Sequence, residues 1–220
     1  MQLAQSEFGG DAIMLKVWGR KNSSNVQKTM WAVGELGIPY ERADIGMEFG
    51  GNDTTAYRVM NPNGLVPTVQ DGNFVLWESN SIIRYLAARY GPGTLEPADL
   101  RSRAIASQWM DWQISAFQPV FTKVFWGLVR TKTKQRDPAT IAAAMTASID
   151  AAKILDAALE RNAYLAGNSF SMGDIPMGVF IFRFRALLPD RPSLPNLERW
   201  YAAIEKRPAF QNHVSNIPLT

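Results

Sequence analysis

The character of the chain changes once, at residues 91–97 (GPGTLEP). Before this Gly/Pro linker, short β-prone runs alternate with amphipathic stretches. After it, nearly every periodic signal is helical. That order predicts an α/β plus all-α protein: an α/β domain over 14–90, the linker, and an all-helical domain over 98–220. With 220 residues and 46% apolar content, the chain can bury substantial cores without covalent staples.

Within the first domain, residues 14–18 (MLKVW) read as a strand. Val26, Met30, Trp31, Val33 and Leu36 recur at helical spacing, and Gly37 supplies a stop. A second strand is expected near 40–44. Strand, crossover helix, strand favours parallel pairing with a right-handed crossover. A Gly-rich polar loop spans 46–54, with a short helix near 55–60. Thr68–Gln70 and Phe74–Trp77 flank Asp71-Gly72-Asn73, a strong hairpin signal. Ser79 then starts a helix carrying Ile82, Ile83, Tyr85, Leu86 and Tyr90. Beyond the linker, helices are expected over 98–129, 138–161, 174–187 and 196–206. Residues 1–13 (MQLAQSEFGGDAI) have neither a basic start nor an apolar stretch. They read as a disordered N-terminal extension rather than a signal peptide, and a cytoplasmic location is expected.

Composition excludes several chemistries. There are no cysteines, which removes disulfides, thiolate metal sites and cysteine nucleophiles. The one histidine, His213, reads as a surface residue near a frayed end, so a histidine-centred triad or metal site is not expected. No apolar run approaches the roughly 20 residues of a membrane span. The net charge of +3 is mild. Residues 1–94 carry 8 Lys/Arg against 9 Asp/Glu, and 95–220 carry 15 against 11. Part of that excess, Arg130, Lys132, Lys134 and Arg136, is interleaved with polar residues. It reads as a solvated inter-helix loop rather than a phosphate-binding patch, and no nucleic-acid partner is expected.

Four clusters could carry function. Val66-Pro67 enters a strand; a cis bond there would turn the Val66 N–H and C=O outward, free to pair with an extended peptide-like ligand. Glu78-Ser79 sits at a helix entrance, where Ser79 suits a carboxylate and Glu78 an ammonium; the plainer alternative is a capped helix beside an exposed Glu. Ser23, Ser24 and Asn25 form another entrance, able either to cap a helix or to stabilise a ligand thiolate. Ser171 and Asp174 are spaced as a capping box, with Phe170 and Ile175 placed as a hydrophobic staple, a folding device. Phe117, Phe121 and Phe125 repeat every four residues near Trp109, Trp112 and Trp126, a stripe that suits either core or pocket.

In this order, the Ser-containing turn after the first strand, NPNGLVPT, ESNSIIRYL and SMGDI resemble the cytosolic glutathione transferase superfamily, over about residues 14–212. The resemblance is to its bacterial serine/asparagine-type, theta- or nu-like members. It implies a thioredoxin-like N-terminal domain, an all-helical C-terminal domain, and a homodimer. It implies glutathione as co-substrate, no metal, and conjugation of the glutathione thiolate to small hydrophobic electrophiles. Val66, beside a cis Pro67, would pair with the cysteinyl backbone, and Glu78 and Ser79 would hold the γ-glutamyl end. Ser23 would activate the thiol, with Asn25 as assistant or replacement and Ser24 third. Leu65 stands where a polar contact to the glycyl carboxylate is frequent, and Gly64 where a His can stand. Asn63 or Arg20 would then meet that carboxylate. Trp112, Phe117 and Phe121 are the expected electrophile pocket. Glutathione-dependent disulfide reduction, isomerisation or dehalogenation fits the same residues. So does a non-catalytic binding protein of this fold.

Overall fold

The computed structural model describes residues 14–220, so the expected N-terminal extension lies outside the described residues. Strand β1 (Leu15–Trp18) leads through helix α1 (Ser24–Leu36) to β2 (Tyr40–Ala43), which pairs parallel to β1. Gly37 ends α1 as expected: it adopts the left-handed conformation at φ 62°, which lets its N–H and that of Ile38 bond back to the last turn. Helix α2 (Thr55–Met60) precedes the hairpin of β3 (Thr68–Asp71) and β4 (Phe74–Trp77). The resulting sheet has the order β2-β1-β3-β4, with β3 antiparallel to both of its neighbours. Helix α3 (Ser79–Tyr90) packs beside α1.

The helical half starts with α4 (Leu100–Trp112), capped by Asp99, which accepts from the Ser102 N–H at 2.9 Å. It runs on through a π-helical turn (Gln113–Phe117), α5 (Gln118–Phe125) and a second π-helical turn (Trp126–Arg130). Pro119 accounts for the first widening: it lacks an N–H, and its ring would strike the carbonyl four residues back in a regular helix. Helices α6 (Pro138–Ala158), α7 (Asp174–Leu187), α8 (Pro195–Glu205) and the short α9 (Pro208–Phe210) complete the chain. Among the described residues no helix is long and apolar enough to cross a membrane.

Two apolar clusters hold the chain. The smaller contains Leu15, Val17, Val26, Val33, Val69, Ile82 and Leu86, between the sheet and α1/α3. The larger centres on α7 and also takes in Trp31, Ile83 and Ala87, so the outer faces of α1 and α3 are buried by the helical half. A Cβ added at Gly178 would come within 2.6 Å of the Trp31 ring, so helix and indole touch only because that residue has no side chain. Polar bolts cross the same seam. Arg207 forms a two-point pair with Glu35, both contacts at 2.7 Å, and Trp31 Nε1 donates to the same carboxylate at 2.8 Å.

Ser171 and Asp174 bond to each other, but α7 starts at Asp174 with Gly173 as its N-cap, so Ser171 is not the N-cap that the spacing predicts. The Asp174 carboxylate accepts from the Ser171 N–H at 2.9 Å, as the spacing predicts, but the Ser171 hydroxyl accepts from Gly173. Asp174 is fully buried, and it also accepts from the Leu165 N–H and Trp200 Nε1, each at 2.9 Å. His213 departs from its expected surface position. It is half-buried against Gly34 and Tyr40, and burial lowers its pKa.

Candidate functional site

A cleft of about 350 Å³ opens where the first turn of α1 faces α5 and α7. Arg20, Asn22, Ser23, Ser24, Asn25, Leu65 and Val66 line one wall; Phe121, Phe125, Trp126, Phe180, Arg130 and Arg183 are on the other. Ser23 is the N-cap of α1, with extended φ and ψ of −75° and 126°. A serine in that position ordinarily spends its hydroxyl on the N–H of the second or third helical residue. Here the side chain makes no capping bond, is 8% exposed and borders the cleft. Its hydroxyl is therefore uncommitted beside the positive end of a 13-residue helix. Asn25, in the first turn, accepts from the Ser79 hydroxyl at 3.4 Å and so links the α1 and α3 entrances.

The segment from Asn61 to Ser79 frames one side of that wall. The Leu65 carbonyl is held by the Tyr57 hydroxyl at 2.7 Å and Asn61 Nδ2 at 2.8 Å. Asn52 Nδ2 holds the Gly64 carbonyl at 2.7 Å. Val66–Pro67 is cis. Among the described residues neither the Val66 N–H nor its C=O has a hydrogen-bond partner. Glu78 is exposed in a left-handed conformation at φ 72°, rare for a residue with a side chain, while Ser79 is buried at the start of α3.

Beneath the cleft lies Lys28, which sequence reasoning passed over because it sits among the apolar positions of α1. It is 0% exposed, donates to Asn80 Oδ1 at 3.3 Å and Gln113 Oε1 at 3.1 Å, and stands 5.6 Å over the Phe180 ring. Burial pushes its pKa down to about 7, against the pull of the Glu78 charge.

The structure gathers Arg20, Ser23, Ser24, Asn25, Leu65, Val66 and Phe121 around one cleft, as expected of a shared site. Glu78, Ser79 and Pro67 flank the same segment without lining the cleft. Asn63 is turned into its own loop, its N–H and side-chain amide both on Asn61 Oδ1, and it does not line the cleft. Leu65 is 64% exposed at the rim. The expected aromatic pocket is shifted along the helix. Phe117 is wholly buried among Phe121, Phe180 and Phe184, and Trp112 packs against Trp109 and Phe117. Phe125 and Trp126, about two turns further along the helix, line the cleft in their place. Arg130 also leaves the solvated loop to which its neighbours assign it and lines the cleft. Phe180 and Arg183 lie in a helix with no charge or motif signal to mark them.

Known proteins share both halves of this architecture. The family model for the glutathione S-transferase N-terminal domain matches residues 22–89, and that for the C-terminal domain matches residues 138–203. Glutathione S-transferase GstB of Escherichia coli K12 is 41% identical over 204 residues, spanning 91% of this chain and 98% of the relative. Glutathione S-transferase 3 of Zea mays is 33% identical, spanning 93% and 95%. The crystal structure of the theta class glutathione S-transferase of Xanthomonas axonopodis pv. citri with glutathione bound matches at a TM-score of 0.90. That match is 51% identical and covers 94% of this chain and 99% of that one.

Proposed function

Because the chain belongs to the glutathione S-transferase family, we propose that it binds glutathione extended along residues 66–79 and activates its thiol at Ser23. The protein is a glutathione transferase, and its cleft divides the work among a few groups. The unpartnered Val66 N–H and C=O pair with the cysteinyl backbone. Ser79, at the N-terminus of α3, receives the γ-glutamyl carboxylate, and Glu78 receives the ammonium group. With Leu65 apolar and Asn63 engaged in its loop, Arg20 takes the glycyl carboxylate.

The thiol gives its proton to solvent. The thiolate is held by the Ser23 hydroxyl and the end of α1, with Asn25 as assistant and Ser24 nearby. It then attacks an electrophilic carbon, forming the C–S bond as the leaving group departs with its electron pair. Lowering a thiol pKa by about 2 units requires about 2.7 kcal/mol of thiolate stabilisation, within reach of one or two hydrogen bonds to an anion. The carrying observation is that the Ser23 N-cap leaves its own hydroxyl unspent at the cleft. The enzyme works as a homodimer in the cytoplasm, with a role in detoxification. Exposed Phe74, Leu100 and Ile105 supply apolar surface for a partner copy.

Titrating the thiolate absorbance of bound glutathione tests this. Ser23→Ala raises the bound thiol pKa by about 1 to 2 units, and Asn25→Ala by less. Unchanged titration in Ser23→Ala removes the assignment. Calorimetric titration of glutathione into Glu78→Ala tests the other end of the site, where binding is expected to be lost.

A further inference from the structure

Arg20, Arg130 and Arg183 line the cleft, from the loop after β1, the turn after α5, and α7. None of them forms an ion pair with an Asp or Glu side chain among the described residues. Arg183 is only 4% exposed. It donates through Nη2 to the Asn22 carbonyl at 3.1 Å and to Gln27 Oε1 at 2.8 Å, both neutral acceptors. Its Nε is buried without any partner, as is that of Arg20. Burial, then the positive charges of Arg130 and Arg20, push the Arg183 pKa down to about 10. Arg20 is lowered by burial and by Arg130, and Glu48 only partly offsets this. Like charges held together in a half-buried cleft are unfavourable unless something negative joins them.

The glutathione assignment uses one of the three, Arg20. Two remain on the helical wall, beyond the peptide-binding segment. Both lie over the ring of Phe125, Arg130 at 5.8 Å and Arg183 at 5.1 Å, so aromatic and cationic surfaces meet at one place. Arg130 Nη2 already holds an oxygen there, that of Thr220, at 2.6 Å.

We propose that the electrophile is an organic anion: an aromatic or otherwise apolar body against Phe121, Phe125 and Trp126, with its carboxylate held by Arg130 and Arg183. This rests on the glutathione-transferase assignment above, whose expectation was simply a hydrophobic electrophile. The charge then orients the substrate. With the carboxylate held on the helical wall, the reactive carbon points toward the thiolate at Ser23.

A matched pair of probes decides it: 4-(chloromethyl)benzoate and its neutral carboxamide, each conjugated by the full chain with the uncatalysed rate subtracted. In each, the thiolate displaces chloride, which leaves with its electron pair. The carboxylate is expected to be preferred in kcat/KM by about ten- to a hundredfold, the worth of hydrogen bonds between charged partners. In Arg130→Gln that preference falls about tenfold or more, while KM for glutathione moves less than about twofold. Lys132→Gln, an exposed cation two residues on, retains the wild-type preference, which separates contact from long-range attraction.

Equal rates for the two probes overturn the proposal, as does a preference unchanged in Arg130→Gln. So does a glutathione KM that rises as far as the electrophile's. If neither probe turns over, calorimetry with the preformed S-(4-carboxybenzyl) and S-(4-carbamoylbenzyl) glutathione conjugates decides. Tighter binding of the carboxylate supports the proposal, and equal affinities overturn it. Failure of glutathione itself to bind removes the assignment beneath it, and the proposal with it.

Discussion

Asp174→Ala tests what holds the helical half together. The carboxylate is fully buried and satisfies three N–H donors, those of Leu165, Ser171 and the Trp200 indole. Its removal leaves these donors without acceptors, at about 1–3 kcal/mol each, so roughly 3–9 kcal/mol in all. An opposing contribution comes from burial, which raises the Asp174 pKa from 3.8 to about 6 against the hydrogen bonds that lower it. Keeping the group charged at pH 7 therefore costs about 3 kcal/mol, which the alanine variant no longer bears. The expected net loss at pH 7 is roughly 0–6 kcal/mol, centred near 3 kcal/mol, a large share of an ordinary domain's stability.

The sign of the pH dependence gives a second readout. Between pH 3.8 and about 6 the folded protein keeps a proton that the unfolded chain has released. The contribution of Asp174 is therefore fully present below that window and is lost as pH rises through it. The gap between wild type and variant widens as pH falls from 7 towards 4. Urea unfolding followed by tryptophan emission measures both, with Trp200 adjacent to the change. A variant more stable than wild type at pH 7, or a gap that fails to widen on acidification, refutes the reasoning.

Two further outcomes are expected. Lys28 has the opposite linkage: its folded pKa, about 7, lies below the ordinary 10.5, so the unfolded chain binds the extra proton between those values. Wild-type stability therefore rises with pH across that window, by up to about 1.4 kcal/mol per unit, and Lys28→Met flattens the slope in urea unfolding at pH 7 and 9. Glu35→Ala leaves Arg207 and the Trp31 indole without their shared acceptor at the seam between the two halves. It is expected to cost roughly 2–4 kcal/mol in the same assay, with Glu35→Gln recovering part of the loss.

Much of the local structure was legible because it obeys rules that act over a few residues. Gly37 ends α1 because a left-handed cap suits glycine, and Asp71-Gly72-Asn73 turns β3 into β4 because Gly72 accepts φ 61°. The cleft wall was half legible. Arg20, Ser23, Asn25 and Val66 lie in loops and helix entrances that motifs mark. Arg130, Phe125, Trp126, Phe180 and Arg183 lie on helices whose facing direction motifs do not report.

The alternation of short strands and amphipathic helices, the single change of periodicity at 91–97 and the capping residues determined the two-part architecture by themselves. These are local preferences of backbone and side chain, present before any long-range contact forms. Which aromatic residue reaches the cleft was decided only by tertiary structure. Phe117 and Phe125 lie about two turns apart on the same helix: Phe117 meets Phe180 and Phe184 of α7 in the core, and Phe125 meets Arg130 and Arg183 at the cleft. The same holds for Lys28 and Arg183. Sequence gives them no mark beyond their charge, and only the packing of α1 against α3 and α7 takes them out of water, where burial changes what a positive charge can do.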